Sequence, residues 1–474
     1  MATTDTLKEL VKRRLVVRKL KDNQRRLDTL SQLRNGRLSE RYWGCDVNAS
    51  GVLSIGGADA SELARQYGTP LHVVNFDRLH ADHDRFLAAF RAFHENTCLG
   101  TSYKTNPVPA VLRELHALGT LAEVISEFEL WLALQIGVPG ERIIFNGPGK
   151  PASAIELAVD NGVWVINADS VDEVRQIEEV CAARDARQRV GLRVTTSVGW
   201  QSQFGMNIRS GQAEAAAALV NSCPHLDLAG LHLHLGNGIA SAEVYVDGVT
   251  EIIECAIRLE QKLGVELEFL DLGGGFGVPT VRKLDAWDLR AESLGYTSRR
   301  PVPEEAVDAD GFARAIFERA EDLLRNLRRS IKLVLEPGRA ITSQNQVLLL
   351  SVIRTKTLGS GGRALILDGG KNITMPLGWE YHEILPATRM REAQLEAQSL
   401  FGPLCHPGDV VGLNRNLPQL DAGDIVAIMD AGAYFVPNQM NFSNPRPAIV
   451  GVRNGASSLL RSRERFEDIV RHDC

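Results

Sequence analysis

The chain has 474 residues, 44% of them hydrophobic, and a formal net charge of −6. This length is enough for two domains, and the acidic balance argues against nucleic acid or an acidic membrane surface as a partner. No apolar run reaches the roughly 20 residues that a membrane helix requires, and we see no signal-peptide pattern. Seven cysteines without a C-x-x-C pair predict a reducing, cytoplasmic environment.

The first 41 residues are rich in Lys, Arg and Leu and predict a basic helical extension. We expect this helix to pack on the surface or on a partner subunit. Residues 42–68 are predicted to join a later β domain. From Thr69 onward, short apolar runs alternate with amphipathic stretches, which is the pattern of a parallel sheet. The runs are 71–75, 98–103, 122–126, 143–146, 163–167, 190–195, 228–235, 268–272 and 333–336.

This alternation predicts a closed (β/α)8 barrel over residues 69–340, because such barrels need about eight strand–helix repeats in roughly 250 residues. Polar residues cluster just after the runs, where barrels of this kind carry their chemistry. Past Arg339 the alternation stops, and apolar runs separated by Gly/Pro loops predict a C-terminal β domain over 341–474. The segment 285–307 lacks periodicity and is predicted to be an insertion or a loop.

Lys104 directly follows the apolar run 98–103. Lysine is rarely buried without a partner or a task, and a buried lysine supplies more readily the neutral amine that a Schiff base requires. Taken alone, the position also fits a solvated lysine at the end of a strand. The later motifs therefore decide between the two interpretations.

His232 and His234 are two residues apart on a predicted strand, so they face the same side of it. A metal site would need a third ligand, which the sequence does not locate. Two core histidines are the ordinary alternative. The functional alternative is an imidazole stacked on a flat cofactor ring, with Gly236 and Gly238 allowing the backbone to approach a phosphate.

Two further motifs end predicted strands. The glycine-rich segment 271–277 is either a plain tight turn or an anion cradle of successive N–H groups. It is not a dinucleotide fingerprint, because Val278 stands where the third glycine would be. Glu336 and Arg339 are either a surface ion pair or a site in which the carboxylate holds a pyridine nitrogen and the guanidinium binds phosphate.

The β domain contributes two candidates. Cys405 lies between a proline and a glycine turn, where a cysteine is usually a small hydrophobe but can be a reactive thiol. Tyr434 follows a predicted strand and is either a core residue or a hydroxyl donor to phosphate.

In this order, the motifs resemble those of the fold-type III decarboxylases that depend on pyridoxal 5'-phosphate (PLP), a family that includes ornithine/arginine and diaminopimelate decarboxylases. The shared motifs are Tyr-x-x-Asn around Lys104, His-x-His-x-Gly, Gly-Gly-Gly-Phe-Gly, Glu-Pro-Gly-Arg, Gly-Pro-x-Cys and Asp-Ala-Gly-Ala-Tyr. The resemblance implies an α/β fold, with a PLP-binding (β/α)8 barrel of the alanine racemase-like type and a C-terminal β-sandwich or barrel domain. It also implies a homodimer with shared active sites.

The resemblance assigns roles to individual residues. Lys104 binds PLP, His234 stacks on its ring, Glu336 keeps the pyridine nitrogen protonated, and Cys405 from the other subunit delivers a proton to Cα. Asn237 departs from the serine that is common in the family. The remaining residues near the cofactor or its phosphate are Glu123, Gly236, Asn237, Gly274, Gly275, Arg339 and Tyr434.

Departures from the diaminopimelate decarboxylases concern the substrate. Those enzymes have a glutamate at the place of His406, and an arginine and a tyrosine at the places of Met375 and Trp379. Losing the arginine removes bidentate recognition of a distal carboxylate, and losing the glutamate removes a partner for a distal ammonium. Asp368 is predicted to line the substrate pocket. We therefore expect a substrate other than meso-diaminopimelate.

The candidate substrates are D-ornithine or D-lysine, and an intermediate of natural-product or siderophore synthesis, free or carrier-bound. An amino-acid racemase on the same fold is an alternative, but Glu336 and Cys405 argue against it. A non-catalytic PLP-binding homologue is another, and Lys104 and Cys405 argue against that. The sequence thus predicts a PLP-dependent carboxy-lyase that acts on a small amino-acid substrate, without a metal, nucleic acid or membrane partner.

Overall fold

The computed structural model describes residues 4–30, 37–293, 298–328, 330–359, 361–393 and 395–473. The chain forms two compact units. The barrel unit comprises His80–Gly277 and Val307–Ile341, and the sheet unit comprises Met1–Leu79, Val278–Ala306 and Thr342–Cys474. Among the helices that the structure describes, none combines the length and the hydropathy needed to cross a bilayer.

Within the described residues, the α-helices are α1 (Thr4–Leu30), α2 (Ala60–Tyr67), α3 (Phe76–Arg91), α4 (Pro109–Ala117), α5 (Glu127–Gln135), α6 (Ala152–Asp160), α7 (Val171–Arg184), α8 (Gln212–Ser222), α9 (Ala242–Leu263), α10 (Ala286–Ser293), α11 (Ala309–Leu324), α12 (Gly338–Thr342) and α13 (Phe466–Ile469). Short 3₁₀ turns cover Glu40–Trp43, Gly140–Arg142, Pro303–Glu305 and Met375–Gly378.

The β-strands are β1 (Cys45–Val47), β2 (Leu53–Ile55), β3 (Ala58–Asp59), β4 (Leu71–Asn75), β5 (Thr97–Ser102), β6 (Leu121–Val124), β7 (Ile143–Phe145), β8 (Val165–Ala168), β9 (Gln188–Thr195), β10 (Met206–Asn207), β11 (Leu226–Leu233), β12 (Phe269–Asp271), β13 (Arg282–Lys283), β14 (Lys332–Leu335), β15 (Gln346–Thr357), β16 (Arg363–Leu367), β17 (Glu380–Tyr381), β18 (Ile384–Leu385), β19 (Glu396–Phe401), β20 (Val410–Leu417), β21 (Ile425–Ile428), β22 (Ala448–Arg453) and β23 (Ala456–Arg461).

Eight parallel strands close into a barrel in the order β5, β6, β7, β8, β9, β11, β12, β14, with β14 pairing back to β5. Strands β7, β8 and β12 are buried along their whole length. Parallel strands that are covered on both faces read as continuous apolar runs rather than as alternating ones. The predicted (β/α)8 barrel is thus confirmed.

The run 71–75, predicted as a barrel strand, lies elsewhere. Strand β4 pairs with β15 and β22 in the sheet unit. All five residues of β4 are buried, as they would be in a barrel strand, and burial on both faces does not identify the neighbouring strand. The prediction that this run belongs to the barrel was therefore wrong. Within the segment 285–307, residues Ala286–Ser293 form α10 instead of a loop, while 294–297 lie outside the described residues.

Serine caps fix the turns that follow two barrel strands. After β6, the Ser126 hydroxyl accepts the N–H of Glu129 at 3.2 Å, and the Glu129 carboxylate accepts the N–H of Ile125 at 2.9 Å. After β8, Ser170 and Glu173 repeat the arrangement. Each cap pairs backbone N–H groups that the first helical turn leaves without partners. The ends of β6 and β8, which carry site residues, are therefore rigidly held.

The sheet unit is built around β15, which pairs with β4, β16 and β21. From β15, one branch of the sheet continues through β16 and β19 to β20, and another through β4 and β22 to β23. Buried aliphatic side chains cover β15 on both faces, with Leu349 in one core cluster and Leu350 in the other. The predicted C-terminal β domain is confirmed.

The segment 430–434 follows β21 and is tightly anchored within the sheet unit. The buried Asp430 carboxylate accepts hydrogen bonds from Trp43 at 2.8 Å, Thr280 at 2.9 Å and Ser343 at 3.1 Å. Tyr434 has φ 67°, a left-handed conformation that side chains seldom adopt. Anchoring of this kind lets a structure hold such a residue in place, and strain of this type often accompanies a functional loop.

We expect the Gly432→Ala variant to melt at a clearly lower temperature than wild type. A Cβ at Gly432 would lie 1.6 Å from the Thr342 carbonyl oxygen, so the backbone would have to move. Gly359→Ala is the matched control, because nothing lies within 4 Å of the Cβ position there. Calorimetry of the three proteins measures the effect, and equal melting temperatures for both variants would contradict it.

Candidate active site

Lys104 and Glu123 form a close pair at the carboxyl ends of β5 and β6. The Lys104 amine Nζ lies 2.9 Å and 3.0 Å from the two carboxylate oxygens of Glu123. Glu123 is fully buried and also accepts a hydrogen bond from the Ser102 hydroxyl. The Lys104 side chain remains 27% exposed. The lysine thus has a charged partner that holds it in place and still presents its amine at an accessible surface.

Asn146 joins Glu123 to the second predicted carboxylate, Glu336. Its amide Nδ2 donates to Glu123 at 3.0 Å and to Glu336 at 2.7 Å. Its amide oxygen accepts a hydrogen bond from Asn167 at 2.7 Å. All four side chains are almost completely buried. A relay of two amides therefore connects residues of β6, β8 and the ends of β7 and β14.

Glu336 stays ionised although it is buried. Burial alone would raise its pKa, but the pairing with His232, whose Nε2 lies 3.6 Å from Oε2, and the charge of Lys104 hold the pKa well below its usual range. Burial and the nearby Glu336 carboxylate raise the pKa of Asp271 well above its usual range. Two buried carboxyl groups that lie side by side disfavour simultaneous ionisation, so Asp271 binds a proton more readily than Glu336 does.

The sequence did not locate a further ligand for a metal site at His232. The structure brings two carboxyl groups, those of Asp271 and Glu336, close to its ring. Ligand-type atoms of His232, Asp271 and Glu336 lie within 4.8 Å of one another, which is close enough for an ion to be held. His234 does not belong to this group. The three side chains line the barrel interior below the ends of β11, β12 and β14.

His234 stacks on Trp200 from the loop after β9, with ring centroids 5.5 Å apart and planes 15° from parallel. Trp200 in turn stacks on Phe204, and the Arg193 guanidinium lies 4.3 Å from the Phe204 ring centre. Burial, followed by the positive charge of Lys104, lowers the pKa of His234 to about 3. The imidazole is therefore neutral at neutral pH.

Glycines allow three strand-end loops to pack directly on one another. A Cβ at Gly274 would lie 2.0 Å from the Glu336 carbonyl oxygen, and one at Gly275, where φ is 95°, would lie 2.1 Å from the Gly236 carbonyl oxygen. The backbones of the loops after β11, β12 and β14 thus lie in direct contact. Two other predicted cofactor residues, Gly236 and Asn237, lie in the loop after β11, and Arg339 lies in α12.

The remaining predicted site residues belong to the sheet unit. Cys405 is an exposed, free thiol. Asp368, predicted to line the substrate pocket, is half-buried and accepts the Ser351 N–H at 2.9 Å, so one of its oxygens has a structural bond. The other predicted site residues in the sheet unit are Met375, Trp379, His406 and Tyr434.

Comparisons with known proteins agree with this geometry. The family described as pyridoxal-dependent decarboxylase, pyridoxal binding domain, matches residues 79–343. The diaminopimelate decarboxylase of Methanothermobacter thermautotrophicus is 33% identical over 441 residues, covering 90% of this chain and 96% of the relative. The Aquifex aeolicus diaminopimelate decarboxylase is 31% identical, covering 89% of this chain and 95% of the relative.

The chain belongs to the pyridoxal-dependent decarboxylase family. A crystal structure of diaminopimelate decarboxylase from Methanocaldococcus jannaschii matches with a TM-score of 0.81 at 27% identity, covering 91% of this chain and 97% of that chain. The predicted family, carboxy-lyase activity and PLP cofactor are thus confirmed.

The residues of the barrel unit fit PLP. Oε2 of Glu336 and Nδ1 of His234 are buried and have no hydrogen-bond partner among the described residues, so both can serve a bound group. Glu336 would hold the pyridine nitrogen and His234 the ring face, while Lys104 would carry the covalent link. The side-chain-free backbone at Gly274 and Gly275 suits a phosphate.

Four residues near this cluster were missed by the sequence analysis: Asn146, Asn167, Asp271 and Trp200. The first three are polar residues in or directly after buried strands, a signal that was present in the sequence. Trp200 lies in a loop and had no such signal.

We expect Asn146→Ala to lower the free energy of unfolding of the barrel unit by about 2–4 kcal/mol, because two buried carboxylates lose a shared donor. Urea unfolding measures the change. Asn161→Ala is the control, since that side chain bonds Leu157 at an exposed helix end. Equal effects of the two substitutions would contradict the proposed importance of the relay.

We expect Trp200→Ala to raise the pKa of His234 toward 6.5, because water then reaches the ring. In wild type the lowered pKa favours the folded state above pH 6.5, and this contribution is lost as the pH falls toward 3. Histidine NMR titration of the cofactor-free protein measures the shift. Phe128→Ala, which removes an exposed ring elsewhere in the barrel unit, is the control, and an unchanged His234 titration in Trp200→Ala would refute the effect.

Proposed function

We propose that this chain decarboxylates an amino acid other than meso-diaminopimelate at Cα, using Lys104, His234, Glu336 and Cys405. The observation that carries the assignment of chemistry is the ionised, buried Glu336 within the same hydrogen-bonded cluster as Lys104 and Glu123. This arrangement supports decarboxylation because a buried, ionised carboxylate can keep a bound pyridine nitrogen protonated.

The chain's own residues set the conditions for the reaction. When bound, PLP supplies an electron sink for the electron pair left on Cα as the carboxylate departs. Glu336 remains charged and would keep a bound pyridine nitrogen protonated. Glu123 holds the Lys104 amine at 2.9 Å. His234 stays neutral and can cover the ring without adding charge.

Protonation of Cα is assigned to Cys405. Its thiol is exposed and free, as a general acid that reaches a reaction centre must be. By resemblance to the family, the thiol acts in the active site of a second copy of the chain, so we propose a homodimer with shared sites. The six described cysteines are all free, which supports a reducing compartment such as the cytoplasm.

The substrate assignment rests on side chains rather than on overall similarity. The relatives are diaminopimelate decarboxylases at 27–33% identity, and a structure of the Methanocaldococcus jannaschii enzyme holds L-lysine. This chain has Met375, Trp379 and His406 at the places of the arginine, tyrosine and glutamate. D-Ornithine, D-lysine and intermediates of natural-product or siderophore synthesis are the candidates.

A racemase is the second candidate function, since it shares the fold. Glu336 argues against it, because a carboxylate at the pyridine nitrogen strengthens the electron sink that decarboxylation needs. Chiral chromatography of the products distinguishes the two functions, since a racemase interconverts L- and D-isomers without releasing CO2.

The deciding experiment incubates the PLP-loaded protein with L- and D-amino acids, diamino acids and meso-diaminopimelate, and measures CO2 release with product mass. We expect release from a substrate other than meso-diaminopimelate. Robust turnover of meso-diaminopimelate would overturn the substrate assignment, and L/D interconversion without CO2 would overturn the assigned reaction.

We expect Lys104→Ala to lose the visible absorbance of covalently bound PLP and more than about 1,000-fold in decarboxylation rate, because the attachment point is gone. Absorbance spectra and CO2 release measure these losses. Lys262→Ala, at an exposed position of α9, is the control and should match wild type. Wild-type spectra from Lys104→Ala would refute the assigned role of Lys104.

A further inference from the structure

The ring that is predicted to cover the cofactor, His234, stacks on a single side chain. Among the described residues, Trp200 is the only one whose ring contacts the imidazole, with centroids 5.5 Å apart and planes 15° from parallel. A planar ring has two faces, so the second face remains for a bound ring. The buried Nδ1 of His234 has no hydrogen-bond partner among the same residues. Stacking on the indole, rather than a hydrogen bond at Nδ1, therefore orients the imidazole.

Trp200 is held in turn by the backbone of the loop after β9. Its N–H donates to the Leu235 carbonyl at 3.0 Å, and Leu235 directly follows His234 in the chain. Gly199 makes this approach possible, because its φ is 80° and a Cβ there would lie 2.6 Å from the same Leu235 oxygen. The indole and the imidazole are thus fixed to one short piece of backbone, all of it in the barrel unit.

A second ring and a buried cation support the indole. Phe204 stacks on Trp200 with centroids 5.8 Å apart and planes 25° from parallel. The Arg193 guanidinium lies 4.3 Å from the centre of the Phe204 ring, and its Nη1 lies 3.6 Å from Oδ1 of Asp169. Arg193 belongs to strand β9 and is 8% exposed. Contacts therefore run without a break from a rigid barrel strand to the His234 imidazole.

The position of the indole suits a role at the site better than a role in core packing. Trp200 is 40% exposed, and a large apolar side chain that stays exposed gains only part of the stabilisation that burial provides. Its Nε1 lies 3.5 Å from the place that a Cβ on Gly236 would occupy. The indole therefore lies beside both the imidazole and the loop that is predicted to approach the phosphate, and its replacement leaves no enclosed cavity in the barrel core.

We propose that Trp200 is a positioning residue for the cofactor, which holds the His234 imidazole on one face so that the other face is presented to the pyridine ring of PLP. This inference rests on the proposed function, in which His234 stacks on that ring. Rotation about the Cβ–Cγ bond of a histidine is only broadly restricted by the side chain itself. Because the indole restricts it before the cofactor binds, less conformational entropy is lost on binding.

Binding of pyridoxine 5'-phosphate to the cofactor-free chain tests the proposal, because this probe has the ring and the phosphate of PLP but no aldehyde to react with Lys104. Calorimetry is performed at pH 8, where an imidazole is neutral even at its ordinary pKa. Trp200→Ala should weaken binding about 3–10-fold, as expected for the loss of one aromatic pair, and Trp200→Phe should restore most of it. Trp131→Ala is the matched control and should bind as wild type does, because that indole is also exposed and also stacks on a phenylalanine, Phe128.

A double-mutant cycle shows whether Trp200 acts through His234. If it does, Trp200→Ala should cause no further loss of affinity in a His234→Ala background. Inorganic phosphate, measured by competition, probes the phosphate site alone and should bind equally to wild type and Trp200→Ala. Unchanged affinity of Trp200→Ala for pyridoxine 5'-phosphate, an additive loss in the double mutant, or an equal loss for inorganic phosphate would each overturn the proposal.

The single variants separate this proposal from the function on which it rests. If His234→Ala binds pyridoxine 5'-phosphate as wild type does, the assigned contact between His234 and the cofactor ring is refuted, and the role of Trp200 is refuted with it. If His234→Ala weakens binding and Trp200→Ala does not, only the role of Trp200 is refuted. A cycle that shows the coupling, together with no CO2 release from any tested amino acid, supports the role of Trp200 and counts against the proposed reaction.

Discussion

The barrel interior must hold two carboxylates, Glu123 and Glu336, away from water, and the rest of the site follows from this requirement. Burying a charge without partners is costly enough that the group would otherwise become protonated. Here Asn146 bridges both carboxylates, Lys104 neutralises one and His232 lies beside the other. Each partner comes from a different strand end. The need for donors therefore explains why the ends of so many strands converge on one place.

Small residues make this convergence possible. A Cβ at Gly191 on β9 would lie 1.9 Å from Oδ1 of Asn167, so any larger residue would displace the amide that supports Asn146. Gly274 and Gly275 play the same part at the loops, where backbone packs on backbone. The buried carboxylates and their partners can thus adopt this arrangement only where glycines leave room for it. Substitutions at either are expected to affect both the stability of the barrel and the charge state of Glu336.

Sequence reasoning reached the barrel and singled out Lys104 and Glu336 just after buried strands, because such strands read as apolar runs and the polar residues that follow them are conspicuous. It misplaced strand β4, since a fully buried run does not show which sheet it joins. The relay through Asn146 and Asn167 was also missed, because it depends on β7 and β8 being neighbours in space. Trp200 lies in a loop whose path no local pattern specifies, so its stacking on His234 could not be predicted.

The barrel site and the loops that follow β16 and β19 differ in how easily their side chains can change. In the barrel unit each charged side chain supports another, so replacing one leaves a buried charge without a partner. In the loops after β16 and β19, the Asp409 carboxylate holds the backbone by accepting the N–H groups of Lys371 and Leu404. Exposed side chains of these loops, such as Trp379 and His406, can therefore differ without loss of the hydrogen bonds that hold the backbone. This separation lets the loops vary while the barrel site stays intact in a chain that resembles diaminopimelate decarboxylases over 90% of its length.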